Sequence, residues 1–219
     1  MASRRVLLAV LPALAAVSLV VSGCGSSSAA PAATKVAAPR CPAGWQAGWQ
    51  RVADQIRAPV YCPRWLPQPL TGRIGGYGSG KYVEPDRSYL VTFFWLDTTA
   101  NGGEEVHVNF RGYPGRVTIP VCEDTLTVNG KTTRPKIPCF DDARGHRQFG
   151  ATRVTVYTAN QGADQWHVLY AWRHRGSLYT VSEHVAPPFS YPQVIANLNR
   201  MMRGLVLLRP LGEESGRLK

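Results

Sequence analysis

The first 24 residues constrain the rest of the chain more than any other segment does. Arg4 and Arg5 precede an apolar or small run over residues 6–21, and the small residue Gly23 precedes Cys24. A charged start, an apolar stretch and a small-residue cleavage site are typical of an export signal. Export places the remaining residues in an oxidising compartment, where cysteines pair as disulfides.

The run Val21-Ser22-Gly23-Cys24 resembles the lipobox of bacterial lipoproteins. The resemblance implies that the Cys24 sulfur carries a diacylglycerol and that cleavage makes Cys24 the first residue. A retained transmembrane helix is the weaker alternative, because about 20 apolar residues are needed to cross a bilayer. We therefore expect a lipid anchor on the outer face of the bacterial cytoplasmic membrane. Arg4 and Arg5 leave general secretion and the twin-arginine route both open.

These features divide the chain into four parts. Residues 1–23 are the predicted signal peptide, and residues 24–40 are the lipidated cysteine and a disordered tether of mostly small residues. Residues 41–210 form a single extracytoplasmic domain, which is long enough to bury a core. Residues 211–219 are a flexible tail.

The charge balance indicates the class of partner. The formal net charge is +11, and the arginines are dispersed without a block of five or more. Dispersed charge on an exported chain does not indicate a nucleic-acid partner. A basic domain tethered to an anionic membrane should lie close to that membrane or to anionic envelope polymers. The alternative, which the dispersion of the arginines favours, is an ordinary solvated surface.

Four cysteines remain once Cys24 is assigned to lipid, and they allow three connectivities. The local pairing, Cys41 with Cys62 and Cys122 with Cys139, is favoured by position. Asn129-Gly130 between β-forming residues predicts a type I′ hairpin inside the second pair. Without a C-x-x-C or C-x-x-H spacing, we expect no zinc site at the cysteines and no cofactor.

Most of the domain is predicted to be strand. Short alternating or β-branched runs separated by turns occur at residues 89–96 (an interior strand), 106–110, 117–121, 153–158, 165–173 and 177–185. In the fifth run, Trp166, Val168, Tyr170 and Trp172 are predicted to share one face. The glycine-rich residues 72–80 fit no phosphate-binding motif and are interpreted as a flexible connector.

Two helices flank the strands. Apolar stripes at helical spacing run over Trp45, Trp49, Val52 and Ile56, and over Val194, Leu198, Met201 and Leu205. Ser190 is the expected N-cap of the second helix. The predicted fold class is α+β: a twisted antiparallel β-sheet with an N-terminal and a C-terminal helix packed on it, stapled by disulfides.

Two further segments carry a family resemblance. Tyr61-Cys62-Pro63-Arg64-Trp65-Leu66-Pro67 resembles the "YP-x-(Y/W)-LP" segment that opens uncharacterised extracytoplasmic domains of bacterial lipoproteins and anti-sigma-factor ectodomains, with a cysteine inserted. Trp172, Gly176 and Tyr179 resemble their closing "W-x-x-x-G-x-x-Y" hairpin. The resemblance covers about half of the domain, and the family has no established activity to carry over.

The strongest candidates for a functional site are three polar residues on the last two predicted strands: His167, Glu183 and His184. A two-residue turn at Arg175-Gly176 would set His167 opposite His184, and a three-residue loop would set it opposite Glu183. Two imidazoles and a carboxylate can bind a metal or transfer protons. The alternative is a cross-strand polar contact, so no catalytic residue and no metal ligand is assigned.

Three functions remain open. The leading hypothesis is a non-enzymatic domain that binds an envelope protein or an anionic envelope polymer. The second is a carrier of lipid or another small apolar ligand, lined by Trp166, Tyr170, Trp172, Met201 and Met202. The third is a metal-dependent enzyme that uses His167 and His184. The oligomeric state is left open.

Overall fold

The computed structural model describes residues 38–97, 104–159 and 166–212. The predicted signal peptide, Cys24, the tether up to residue 37 and the tail from residue 213 lie outside the described residues. The elements in chain order are α1 (Ala43–Ile56), β1 (Val60–Cys62), β2 (Ser79–Val83), β3 (Tyr89–Asp97), β4 (Glu104–Tyr113), β5 (Val121–Glu123), β6 (Leu126–Val128), β7 (Lys131–Thr133), β8 (Lys136–Pro138), β9 (Ala143–Phe149), β10 (Thr152–Ala159), β11 (His167–His174), β12 (Ser177–His184), α2 (Tyr191–Arg203) and β13 (Val206–Leu208).

Seven strands form one antiparallel sheet in the order β2-β3-β4-β12-β11-β10-β9. β12 is the central strand, and β3 has a neighbour on each side, as predicted for residues 89–96. Small two-stranded sheets pair β1 with β13, β5 with β8 and β6 with β7. Together with the two helices, this architecture confirms the α+β class.

Both helices bury their apolar stripes against one face of the sheet. Trp49, Val52 and Ile56 of α1 are fully buried, as are Val194, Leu198 and Met201 of α2. The Trp49 ring meets the Phe110 ring edge to face at 5.4 Å. Ser190 caps α2, and its backbone N–H donates to Gln193 Oε1 at 2.8 Å. Leu205 lies beyond the end of α2, so the predicted stripe is one residue too long.

The disulfides have the predicted local pairing, Cys41–Cys62 and Cys122–Cys139. The first joins the start of α1 to β1 within the core. The second closes the base of an arm that carries the β6–β7 hairpin. Asn129 and Gly130 have φ values of 50° and 75°, and this confirms the predicted turn.

The opposite face of the sheet carries a smaller apolar cluster. Phe140, which follows the Cys122–Cys139 arm, packs with Leu169, Ala171 and Leu178. The helices therefore cover one face, while residues at the base of the arm, Ile119, Cys139 and Phe140, cover part of the other. Within the described residues, neither helix is long and apolar enough to cross a membrane.

Three sequence predictions are wrong in detail. Residues 117–120 are not a strand, and pairing begins only at Val121. The connector over residues 72–80 is not wholly irregular, because β2 begins at Ser79. Gly78 has a φ of 73°, and its carbonyl accepts the Phe94 N–H at 2.8 Å; a Cβ at Gly78 would lie 2.4 Å from the Phe94 oxygen. Trp166 precedes β11 and is 65% exposed, so it does not share the buried face.

Candidate functional site

The β11–β12 hairpin fixes the register of the predicted polar residues. Arg175 and Gly176 have φ values of 48° and 73°, which are the two positive values of a two-residue turn. His167 therefore pairs with His184 across the ladder, as one of the two predicted registers required. The register that placed His167 opposite Glu183 is wrong.

A third histidine, His107 of β4, joins this pair on the same face of the sheet. The imidazole centroids lie 4.4 Å apart for His107 and His167, 4.7 Å for His107 and His184, and 5.4 Å for His167 and His184. We call His107, His167 and His184 the histidine cluster. Its side chains come from three adjacent inner strands, β4, β12 and β11.

Each imidazole has an oxygen near its Nδ1 atom. His107 Nδ1 lies 2.9 Å from Glu105 Oε1 at an ion-pair distance, although out of line for a hydrogen bond. His167 Nδ1 lies 2.9 Å from Ser182 Oγ, and His184 Nδ1 lies 3.3 Å from the Glu105 backbone oxygen. The Nε2 atoms of His107 and His167 face each other at 2.5 Å.

Glu183 does not belong to this cluster, which corrects the predicted constellation. Consecutive residues of a strand point to opposite faces, and the Glu183 side chain lies on the helix-covered face. Its Oε1 accepts a hydrogen bond from Asn197 Nδ2 of α2 at 2.7 Å, while Oε2 has no hydrogen-bond partner among the described residues. Burial raises the pKa of this carboxyl to about 8, although the Asn197 hydrogen bond opposes the change.

Sequence reasoning missed His107. The strand containing Glu105, His107 and Asn109 is visible as an alternating pattern, but its pairing with β12 joins residues far apart in the chain. Within residues 38–97, 104–159 and 166–212, no three His, Cys, Asp or Glu side chains are placed to hold a metal ion as they stand.

A second candidate site is a groove of about 620 Å³ at one end of the sheet. It opens where the β10–β11 ladder ends, at the pair Thr155 and Ala171. Its ionisable lining, apart from the Tyr61 hydroxyl, consists of His146, Arg153, Arg173 and His174, and no Asp or Glu is among the described lining residues. We call this site the basic groove.

Aromatic side chains form part of the groove wall. Tyr61 and Trp172 meet edge to face at 5.2 Å, and the Tyr61 hydroxyl lies 2.9 Å from His174 Nδ1. Burial lowers the pKa of His174, and the positive charges of Arg175 and Arg209 lower it further. The groove thus has a positive electrostatic potential against an aromatic wall.

The arginines of the groove differ in how they are held. Arg173 Nε donates to the Val117 backbone oxygen at 2.8 Å, which ties the segment before the arm to β11. Arg153 has no such tie among the described residues. Its guanidinium is therefore the better placed of the two to bind a ligand.

Another groove, of about 440 Å³, lies beside the Cys122–Cys139 disulfide. Its wall includes Arg111 and Arg116 but also Glu84 and Asp86. Arg116 and Asp86 form an ion pair at 3.2 Å. Because the opposite charges balance, this groove has no charge preference comparable to that of the basic groove.

The residues predicted to line an apolar carrier site do not share one surface. Tyr170, Trp172, Met201 and Met202 are buried in the helix-covered core, whereas Trp166 is exposed. The Tyr170 hydroxyl donates to Asn199 Oδ1 of α2 at 3.0 Å, and burial raises its pKa to about 12. These contacts are those of a packed core.

Comparison of the chain with known protein families, curated proteins and solved structures finds no match.

Proposed function

We propose that this chain is a lipid-anchored, extracytoplasmic binding domain of the bacterial envelope, without catalytic activity. Its ligand is an anionic envelope polymer, one whose repeating units carry phosphate or carboxylate groups. The basic groove is the observation that carries the proposal, since it collects two arginines and two histidines without a described acidic residue in its wall.

The chemistry of the groove suits such a ligand. Guanidinium groups bind phosphate and carboxylate oxygens through paired hydrogen bonds, and these charge-assisted bonds are stronger than neutral ones. The groove volume falls within the ~300–1,000 Å³ range of ordinary ligand sites. The net charge, which is +11 for the full sequence and +9 without Arg4 and Arg5 of the predicted signal peptide, adds a long-range attraction for polyanions.

Loss of Arg153 is expected to weaken polyanion binding. In Arg153→Gln we expect about a fivefold loss of affinity, the equivalent of about 1 kcal/mol, and a larger loss in Arg153→Gln/Arg173→Gln, which removes both arginines of the groove. Because exposed charges are screened by salt, the difference from wild type should shrink as ionic strength rises. The measurement is calorimetric titration of the full chain, in neutral detergent, with polyphosphate and with polygalacturonate.

Arg134→Gln is the matched control, because Arg134 is exposed and follows β7 in the disulfide-closed arm rather than lining the basic groove. An equal loss in Arg134→Gln would indicate attraction by net charge alone. Failure of both polymers to bind at low salt would refute the proposed ligand class.

Anchoring by Cys24 is tested separately. Only a thiol can form the thioether to diacylglycerol, so Cys24→Ser is expected to lose incorporation of labelled palmitate and to accumulate as the uncleaved precursor. Ser27→Ala, in the predicted tether, is the control and should be processed normally. Equal labelling of Cys24→Ser and wild type would contradict the lipobox assignment.

A further inference from the structure

We infer that the histidine cluster is a binding site for one divalent transition-metal cation of the zinc and copper class. His107 and His167 are the two principal ligands, and His184 is the third. This site lies outside the basic groove and does not depend on the function proposed above.

The strand arrangement favours such a site. The three side chains come from β4, β11 and β12, which are inner strands with neighbours on both sides. Sites built on strands hold their side chains more closely than sites built on loops. His167 is 2% exposed, and the His107 side chain is 14% exposed, so both imidazoles are shielded from bulk water.

The surroundings of the Nδ1 atoms resemble the outer shell of known metal centres. A ligating histidine usually places its other ring nitrogen against a carboxylate, a backbone carbonyl or a hydroxyl, which fixes the tautomer. Here those oxygens belong to the Glu105 carboxylate, Ser182 Oγ and the Glu105 backbone. Protons on Nδ1 leave the Nε2 lone pairs of His107 and His167 directed at each other.

Two nitrogen lone pairs do not approach to 2.5 Å unless a positive charge lies between them. A proton can supply that charge, and a metal ion can replace the proton. Two imidazoles on a tetrahedral ion with bonds of about 2.05 Å have nitrogens about 3.3 Å apart. The His107 and His167 rings therefore need to part by less than about 1 Å to admit an ion.

Side-chain chemistry selects the cation. Imidazole nitrogen binds copper and zinc well, whereas magnesium and calcium require oxygen ligands. His184 stacks against both partners at 24° and 29°, so it must rotate to become the third ligand. We therefore expect its contribution to affinity to be smaller than that of His107 or His167.

The test is titration of the untagged, chelator-treated full chain, in neutral detergent, with zinc chloride and with copper(II) chloride. One ion per chain is expected, with copper bound more tightly than zinc and no binding of magnesium. His107→Ala and His167→Ala should each lower affinity by at least about 100-fold, and His184→Ala by about tenfold. Nitrogen couplings in the copper(II) electron paramagnetic resonance spectrum should count the bound imidazoles.

His146→Ala is the matched control, because His146 lies in the basic groove and should leave metal binding unchanged. Glu105→Gln, on a half-exposed residue, provides a variant that folds readily and should lower affinity by about tenfold through the orientation of His107. Absence of a stoichiometric ion in the wild type would overturn the inference. So would equal losses in the His107 and His146 variants.

Discussion

Replacing Glu183 by glutamine is expected to remove a large pH dependence from the stability of the domain. In the unfolded chain this carboxyl ionises near the ordinary pKa of 4.5, whereas burial in the fold raises its pKa to about 8. The folded state therefore holds a proton that the unfolded state releases between these values. Stability falls as pH rises from 4.5 to 8, and the full loss is present above pH 8.

The size of the effect follows from the separation of the two pKa values, which corresponds to at most about 5 kcal/mol. The introduced glutamine side chain retains an oxygen for the Asn197 hydrogen bond but does not ionise. Relative to wild type, the free energy of unfolding of Glu183→Gln should increase by about 4 kcal/mol between about pH 5 and pH 9. Urea unfolding followed by tryptophan fluorescence, with chelator present, measures this difference.

Glu123→Gln is the control, since Glu123 is an exposed residue at the end of β5. It should follow the wild-type pH dependence. If the Glu183→Gln and wild-type curves remain parallel between pH 5 and pH 9, then Glu183 is ionised in the folded state and its assigned environment is wrong.

Loss of the Cys41–Cys62 disulfide is expected to lower the melting temperature by roughly 6–12 °C. The bridge closes a loop between residues separated by 21 positions, worth about 3 kcal/mol in the chain-entropy model. For a domain of this size, each 1 kcal/mol shifts the melting temperature by about 2–4 °C. Both half-cystines are buried, so Cys41→Ala/Cys62→Ala also loses packing in the core.

The second disulfide offers the matched comparison. Cys122 and Cys139 close a loop of similar length, but they hold an arm whose β6–β7 hairpin is exposed along its whole length. Cys122→Ala/Cys139→Ala should therefore release the arm locally while the main transition shifts by only a few degrees. Scanning calorimetry of both double variants measures the two shifts in melting temperature. Equal shifts would show that the arm unfolds together with the core.

Features set by neighbouring residues were predictable from the sequence. The stripes of α1 and α2 repeat at helical spacing, and each disulfide encloses a short loop. Arg175-Gly176 and Asn129-Gly130 form tight turns because they accept positive φ values. In each case the local pattern and the tertiary fold favour the same structure.

Features set by strand order were not predictable. β9 (Ala143–Phe149) is almost entirely polar, because it is an edge strand that buries little, and it carried no strand pattern. β1 and β13 are each three residues long. They pair with each other although they lie near opposite ends of the domain's sequence, as the pair Val60 and Leu208 shows. His107 reached the histidine cluster through the pairing of β4 with β12, which no local pattern indicates.

Glu183 illustrates a different kind of error. It is adjacent to His184, and the two residues looked like members of one site. Strand parity excludes this, since neighbours along a strand lie on opposite faces. The same alternation in β4 places Glu105 and His107 on the face away from Val106 and Val108, although it does not show which strand lies beside them.

The position of β12 also determines when the chain can complete its fold. One half of the sheet, β2 to β4, precedes it by many residues, and β12 is the strand that joins this half to β11, β10 and β9. It lies near the C-terminal end, so the two halves cannot be joined until most of the chain has been synthesised. A chain that ends before β12 would leave two unjoined half-sheets with exposed apolar surface, and such species are prone to aggregate.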